Sequence, residues 1–211
     1  MIKKFLWGIF GFLAMAIGVY PGLYFVIDRR FGLLSTKSEA LLADVAWNTG
    51  FYLHIICGGL ALLAGWTQFS ARLRRARPGL HRTLGKAYVL SALVGGTAGI
   101  GIGTQATGGP VAALGFILLG IIWVSTTLLA YRHIRSGRVR EHEKWMTYSF
   151  AACFGAVTLR LWMPLLILLT GDFFTAYRVV AWLSWVPNLV VAWWINNRPV
   201  KNLKARAVLQ P

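Results

Sequence analysis

From Val111 to Tyr131 the chain runs for 21 residues without a charged side chain. Wound into a helix at about 1.5 Å per residue, such a run is about 31 Å long, and the hydrocarbon core of a bilayer is about 30 Å thick. Inside that core no water is at hand for backbone N–H and C=O groups, so a helix, which satisfies them within itself, is the form such a run can take. Five further apolar runs meet the same condition: about Phe5 to Ile27, Gly50 to Phe69, Ala87 to Gln105, Trp145 to Thr170 and Tyr177 to Ile195. Between the third and fourth, "ATGGP" at 106–110 supplies the Gly and Pro that a chain reversal favours. With 57% hydrophobic and 13% charged residues, where a soluble domain carries about 25% charged, the 211 residues read as one domain. The expected fold is an all-α integral membrane protein with six transmembrane helices and a core bundle from helices 2–5.

Charge gives the orientation, because short cytoplasmic loops collect Lys and Arg and translocated ones do not. With the N-terminus inside, Lys3 and Lys4, the six bases from Arg72 to Lys86, the five from Arg132 to Lys144, and Arg198, Lys201, Lys204 and Arg206 all face the cytoplasm, which is 17 of the 22. The other side sets Arg29, Arg30, Lys37 and Arg178 against Asp28, Glu39, Asp44 and Asp172. Both termini are therefore expected in the cytoplasm. A net charge of +16 in a soluble protein would suggest nucleic acid. Here the bases border apolar spans without any nucleic-acid motif, so anionic lipid accounts for them. The start, "MIKKFLWGIFGFLAMAIG", has the make-up of a signal peptide, but its apolar run continues to Ile27 and is expected to stay as an uncleaved span. Cys57 and Cys153 fall inside spans and read as small apolar residues, not as a disulfide framework.

Ionisable side chains within the apolar zone are expensive and are usually kept for a ligand, an ion or a proton path. His54 and Arg160 are two such residues. Counting along the helices puts His54 about 6 Å below the outer edge and Arg160 about 22 Å up from the inner edge, near the same outer depth. A structural reading stands beside the functional one, in which Arg160 snorkels outward and His54 donates to a backbone carbonyl. In the fifth span His142, Trp145, Ser149, Cys153, Ala156, Arg160 and Met163 recur at helical spacing on one face. In the second span His54, Gly58, Ala61, Gly65 and Gln68 form a stripe whose middle is small, leaving room for a helix or a flat ligand. Gly95, Gly99 and Gly103 in the third span suit close helix contact or a cofactor groove.

At the cytoplasmic level His81 precedes the third span, His133 ends the fourth and His142 opens the fifth. A b-type haem in a helical bundle needs two imidazoles from different helices at one depth. His81 and His142 meet that condition, with Arg82, Arg75 or Lys144 available for the propionates. The same histidines could instead form a divalent metal site with Glu141 or Glu143, or could simply meet headgroups and water, and His133 has no evident partner.

The succession of an intramembrane His, "GWTQF" (65–69), "RPGLHRTLGKAY" (77–88), "EHEKWM" (141–146) and Arg160 resembles the domain-of-unknown-function 2306 family of predicted bacterial membrane proteins. The resemblance covers about residues 50–165 and implies a multi-span inner-membrane protein in which His54, His81, His142, Trp145 and Arg160 fall on motif positions. A looser resemblance is to dihaem membrane cytochromes of the b-561 type. It implies that the third and fifth helices supply one haem pair, which His81 and His142 match, while His54 lacks a partner on the fourth helix.

The expected function is thus a redox protein of the bacterial inner membrane. His81 and His142 would be haem b ligands supported by Arg82 and Lys144, and His54 with Arg160 would bind a quinone headgroup or other small anion. Two alternatives stay open: a non-enzymatic proton or anion transporter using His54 and Arg160, and a scaffold or assembly partner docking through Trp182, Trp185, Trp193 and Trp194.

Overall fold

The computed structural model describes residues 2–28 and 30–198. Of the bases counted above, Arg29, Lys201, Lys204 and Arg206 lie outside the described residues, as does the side chain of Lys3. The described residues form eleven α-helices and three short 3-10 turns, with no strand. Six stretches are long and apolar enough to cross a membrane. The first is α1 (Ile2–Val19) with α2 (Leu23–Val26), joined by a 3-10 turn at Tyr20–Gly22 around Pro21. A loop carrying the short α3 (Glu39–Ala43) leads to α4 (Val45–Gly65), the second span. After the small basic helix α5 (Ala71–Ala76), α6 (Pro78–Gly103) and α7 (Pro110–Arg135) form the third and fourth. The fifth is α8 (Val139–Cys153) with α9 (Gly155–Thr170), and the sixth is α10 (Phe173–Leu183) with α11 (Val186–Asn197).

The helices begin earlier than the apolar runs, for identifiable reasons. Asp44 caps α4 by accepting from Ala46 N–H and Trp47 N–H at 2.8 and 3.2 Å, so the helix starts at Val45 and His54 lies nine residues in, about 13 Å from its end. Pro78 sits in the first turn of α6, where its missing N–H costs nothing. His81 is therefore inside that helix and does not precede it. Hydropathy marks where a helix enters lipid, whereas caps and proline mark where the helix itself begins. Between α6 and α7 the "GG" of the reversal takes left-handed φ values of +99° and +77° at Gly108 and Gly109, which a side chain would resist.

Packing is heaviest between α4 and α6, α6 and α7, and α7 and α8, so helices 2–5 do form the central bundle. The glycine stripes serve close contact. A Cβ on Gly95 would stand 2.9 Å from Cys57 Cβ, and one on Gly99 would stand 2.7 Å from His54 Nδ1. Gly65, in the small stripe of α4, receives the rings of Phe150 and Tyr88, so that gap is filled by protein. Around it Leu62, Tyr88, Trp123, Phe150 and Val157 make the main buried core. Outside this core the surface is apolar, with Leu168 81% and Val26 84% exposed, as lipid-facing positions require.

The fifth and sixth spans are each discontinuous. A tight turn at Phe154, where Val157 N–H bonds back to the Phe154 carbonyl, marks the junction of α8 and α9, while right-handed helical dihedrals continue through Phe154. The sixth breaks at Ser184 and Trp185, and Pro187 cannot donate to the carbonyl four residues back. The two breaks face each other and are fastened by Asn188, whose Nδ2 donates to the carbonyls of Ala151 (3.3 Å) and Ser184 (2.9 Å), and by Thr158 Oγ1 donating to the Ser184 carbonyl. Cys153 is buried and Cys57 half-buried, and both are free thiols.

Candidate functional site

His81 is the fourth residue of α6 and His142 the fourth of α8. The two helices run in the same direction, with α7 antiparallel between them. Seven residues beyond each histidine, two turns along and on nearly the same face, stand Tyr88 and Ser149, and their hydroxyls are hydrogen-bonded at 2.7 Å. Equal offsets from one bonded pair place the two imidazoles at one level, about 10 Å from the pair.

The pair belongs to a closed ring of hydrogen bonds whose direction is fixed by its ends. Trp123 Nε1–H can only donate, and it reaches Tyr88 Oη at 3.2 Å. The Trp123 carbonyl can only accept, and it takes the Thr127 hydroxyl at 2.7 Å. Tyr88 therefore donates to Ser149, and Ser149 donates to Thr127 at 2.6 Å. Every hydroxyl proton is used, and α6, α7 and α8 are pinned together at one height.

On the histidine side of this ring lies a cavity of about 620 Å³, within the roughly 300–1,000 Å³ typical of cofactor and ligand sites. His81 and His142 both line it, with Arg74, Arg82, Lys86 and Arg135 supplying positive charge and Glu143 negative. Glu143 is paired with Arg74 across 3.7 Å, which leaves the lining basic. His142 Nδ1–H donates to the Ala130 carbonyl at 2.9 Å, so Nε2 is its free nitrogen. His81 Nδ1 is buried with no hydrogen-bond partner. Gly85, one turn from each of His81 and Tyr88, keeps the wall open: a Cβ there would meet only Gln68 Oε1, at 3.4 Å.

Of the side chains expected around a haem, the structure brings together His81, His142 and Arg82. Lys144 and Arg75 are not among the lining residues, and both are exposed. His133 and Glu141 do not line the cavity either. Arg74, Lys86 and Arg135 were not singled out in the sequence as lining residues, nor was Tyr88 beyond the inner end of the cavity, although the spacing of seven between His81 and Tyr88, and between His142 and Ser149, was there to be read. Among the described residues no three of His, Cys, Asp and Glu come together as metal ligands, so the divalent arrangement with Glu141 or Glu143 is not assembled.

The two residues of the second expected pair are each bonded to a backbone carbonyl. His54 Nδ1–H donates to the Gly95 carbonyl at 2.8 Å, its ring seated against Gly99. Arg160 lies within electrostatic reach of it. The guanidinium carbon is 4.4 Å from the centre of the Tyr20 ring, and Nη1 donates to the Ala156 carbonyl at 2.8 Å. That bond runs toward the α8 end of the span, so Arg160 does not snorkel outward. Fourteen residues of α6, about 21 Å, separate Gly95 from His81, so the two sites are distinct.

A family model described as a predicted membrane protein, DUF2306, matches residues 51–196. The chain belongs to the DUF2306 family. The match takes in α4 to α11, and so all four histidines, Arg160 and the whole cavity. No curated protein and no solved structure matches this DUF2306 protein, and the b-561 resemblance finds no support there. Of the four tryptophans proposed for docking, Trp185 is buried in the DUF2306 bundle, and the half-buried Trp182 donates to the Val111 carbonyl at 3.2 Å. Trp193 and Trp194 are exposed.

Proposed function

We propose that this multi-pass membrane protein binds haem b in the cavity between α6 and α8, where His81 and His142 would hold the iron, and acts in electron transfer. One observation carries the reading: imidazoles from two parallel helices, at matched depth, line one cavity with four basic side chains. Haem held by two imidazoles exchanges single electrons at a potential set by its surroundings. The chain's own contribution is positional. The Ala130 carbonyl orients His142 and raises the basicity of its free nitrogen. His81 lines the same cavity from α6. Arg82, Lys86 and Arg135 suit two carboxylates at the cavity mouth, and Gly85 leaves space that any larger residue would occupy. The asymmetry of basic residues supports a bacterial inner membrane with the cavity on the cytoplasmic side.

The test is absorption of the protein purified after expression with added haem precursor. A Soret band is expected in the wild type and lost in both His81→Ala and His142→Ala, while His133→Ala keeps it. A wild type without a Soret band overturns the reading. The transporter alternative draws support from Arg160 within the span, and predicts anion or proton flux in liposomes that disappears in Arg160→Ala with no chromophore present.

A further inference from the structure

Arg160 stands ten residues from the Thr170 end of α9, about 15 Å, and its guanidinium carries a permanent charge with five N–H donors. All six acidic side chains of the chain are described, and none lies within salt-bridge distance of it. Glu39 pairs with Arg30 and Glu143 with Arg74. Asp44 and Asp172 cap α4 and α10, Asp28 accepts from Arg30 N–H, and Glu141 lies in the first turn of α8 at the opposite end of the span. The guanidinium is turned away from the nearer membrane surface, toward Ala156, which removes lipid headgroups at that surface as a counter-charge. Its neighbour is the Tyr20 side chain, placed there by the break in the first span; Tyr24 and His54 are within electrostatic reach, and the His54 Nδ1–H is already committed to Gly95. A charge in this setting is retained only with compensation.

We propose that Arg160 and Tyr20 form an intramembrane site for an oxyanion, a carboxylate or phosphate that supplies the missing counter-charge. A neutral quinone would leave the guanidinium unbalanced. The site is independent of the cavity between α6 and α8. The experiment places the whole protein in phosphatidylcholine nanodiscs and follows binding of carboxyl-¹³C laurate and of inorganic phosphate. One saturable site per chain is expected, weakened at least about tenfold in Arg160→Gln and held within about threefold in Arg160→Lys, since the charge-assisted bond is what the lysine preserves. Tyr20→Phe, which leaves the bundle intact, is expected to weaken binding about threefold through loss of one donor. Laurate binding that phosphate does not displace assigns the site to an amphiphile; displacement by phosphate assigns it to the free ion. Absence of saturable binding of either overturns the proposal, as does unchanged affinity in Arg160→Gln or, should that variant fail to insert, in Tyr20→Phe. Decylubiquinone competing with laurate on equal terms overturns the oxyanion assignment. The Soret band, read in the same nanodiscs, is expected to be indifferent to these variants, so failure here and failure of the haem reading are separate results.

Discussion

His54 shows how an imidazole is accommodated among apolar helices: one nitrogen donates to a backbone carbonyl that a glycine stripe has brought close, and the missing side chain of Gly99 makes the seat. Gly99→Ala places a Cβ 2.7 Å from His54 Nδ1, and is expected to cost about 1–3 kcal/mol by overpacking. Thermal unfolding in detergent would measure this, and the double variant His54→Ala/Gly99→Ala should lose less than the sum of the singles, because the clash is gone. At the surface, the Thr175 hydroxyl and then the Thr175 N–H, which donates to Asp172 at 2.7 Å, hold the Asp172 carboxyl below the usual range. A depressed folded-state value means the cap contributes fully above the ordinary Asp pKa of about 3.9 and is lost as pH falls through the lower, folded value. Amide exchange at Thr175, corrected for its intrinsic rate, should therefore accelerate below about pH 3.9 in the wild type, and Asp172→Asn, which keeps an acceptor, should flatten the response. That His54 would donate to a backbone carbonyl was legible, because a lone imidazole among apolar residues has little else to bond. Which carbonyl it reaches, and that Arg160 turns back to Ala156, was not, because that depends on helix rotation that composition does not specify.

The ring through Trp123, Tyr88, Ser149 and Thr127 sets the relation of three helices. Tyr88→Phe removes one donor and strands the Trp123 N–H in an apolar interior, a loss of about 1–3 kcal/mol. Tyr88→Phe is also expected to lower haem retention after dialysis against a haem scavenger, since the matched level of His81 and His142 depends on this bond; unchanged retention would assign the ring to stability alone. Sequence periodicity put His142 and Ser149 on one helical face, and the same arithmetic applied to α6 finds Tyr88. What it could not supply is the partner across the interface, because Thr127 and Trp123 look like ordinary residues of an apolar run. The breaks at Phe154 and Ser184 were hidden for a similar reason: each is fastened by a residue of the other span, Thr158 or Asn188, and so is a property of the pair.

At the scale of the molecule, six spans follow from hydrocarbon thickness alone, which is why length and hydropathy sufficed to find them and why their ends, governed by caps and proline, shifted by several residues. Orientation is expected from the basic asymmetry. Alkaline phosphatase fused after Gly108 should be active, and fused after Gly137 inactive, with the reverse pattern sinking the assignment. The cavity extends no deeper than Val89 and Thr147, beside the Tyr88–Ser149 pair. Neither hydroxyl lines the cavity, and with every proton of the ring committed the pair forms a stop that exchanges no proton with whatever rests against Val89 and Met146.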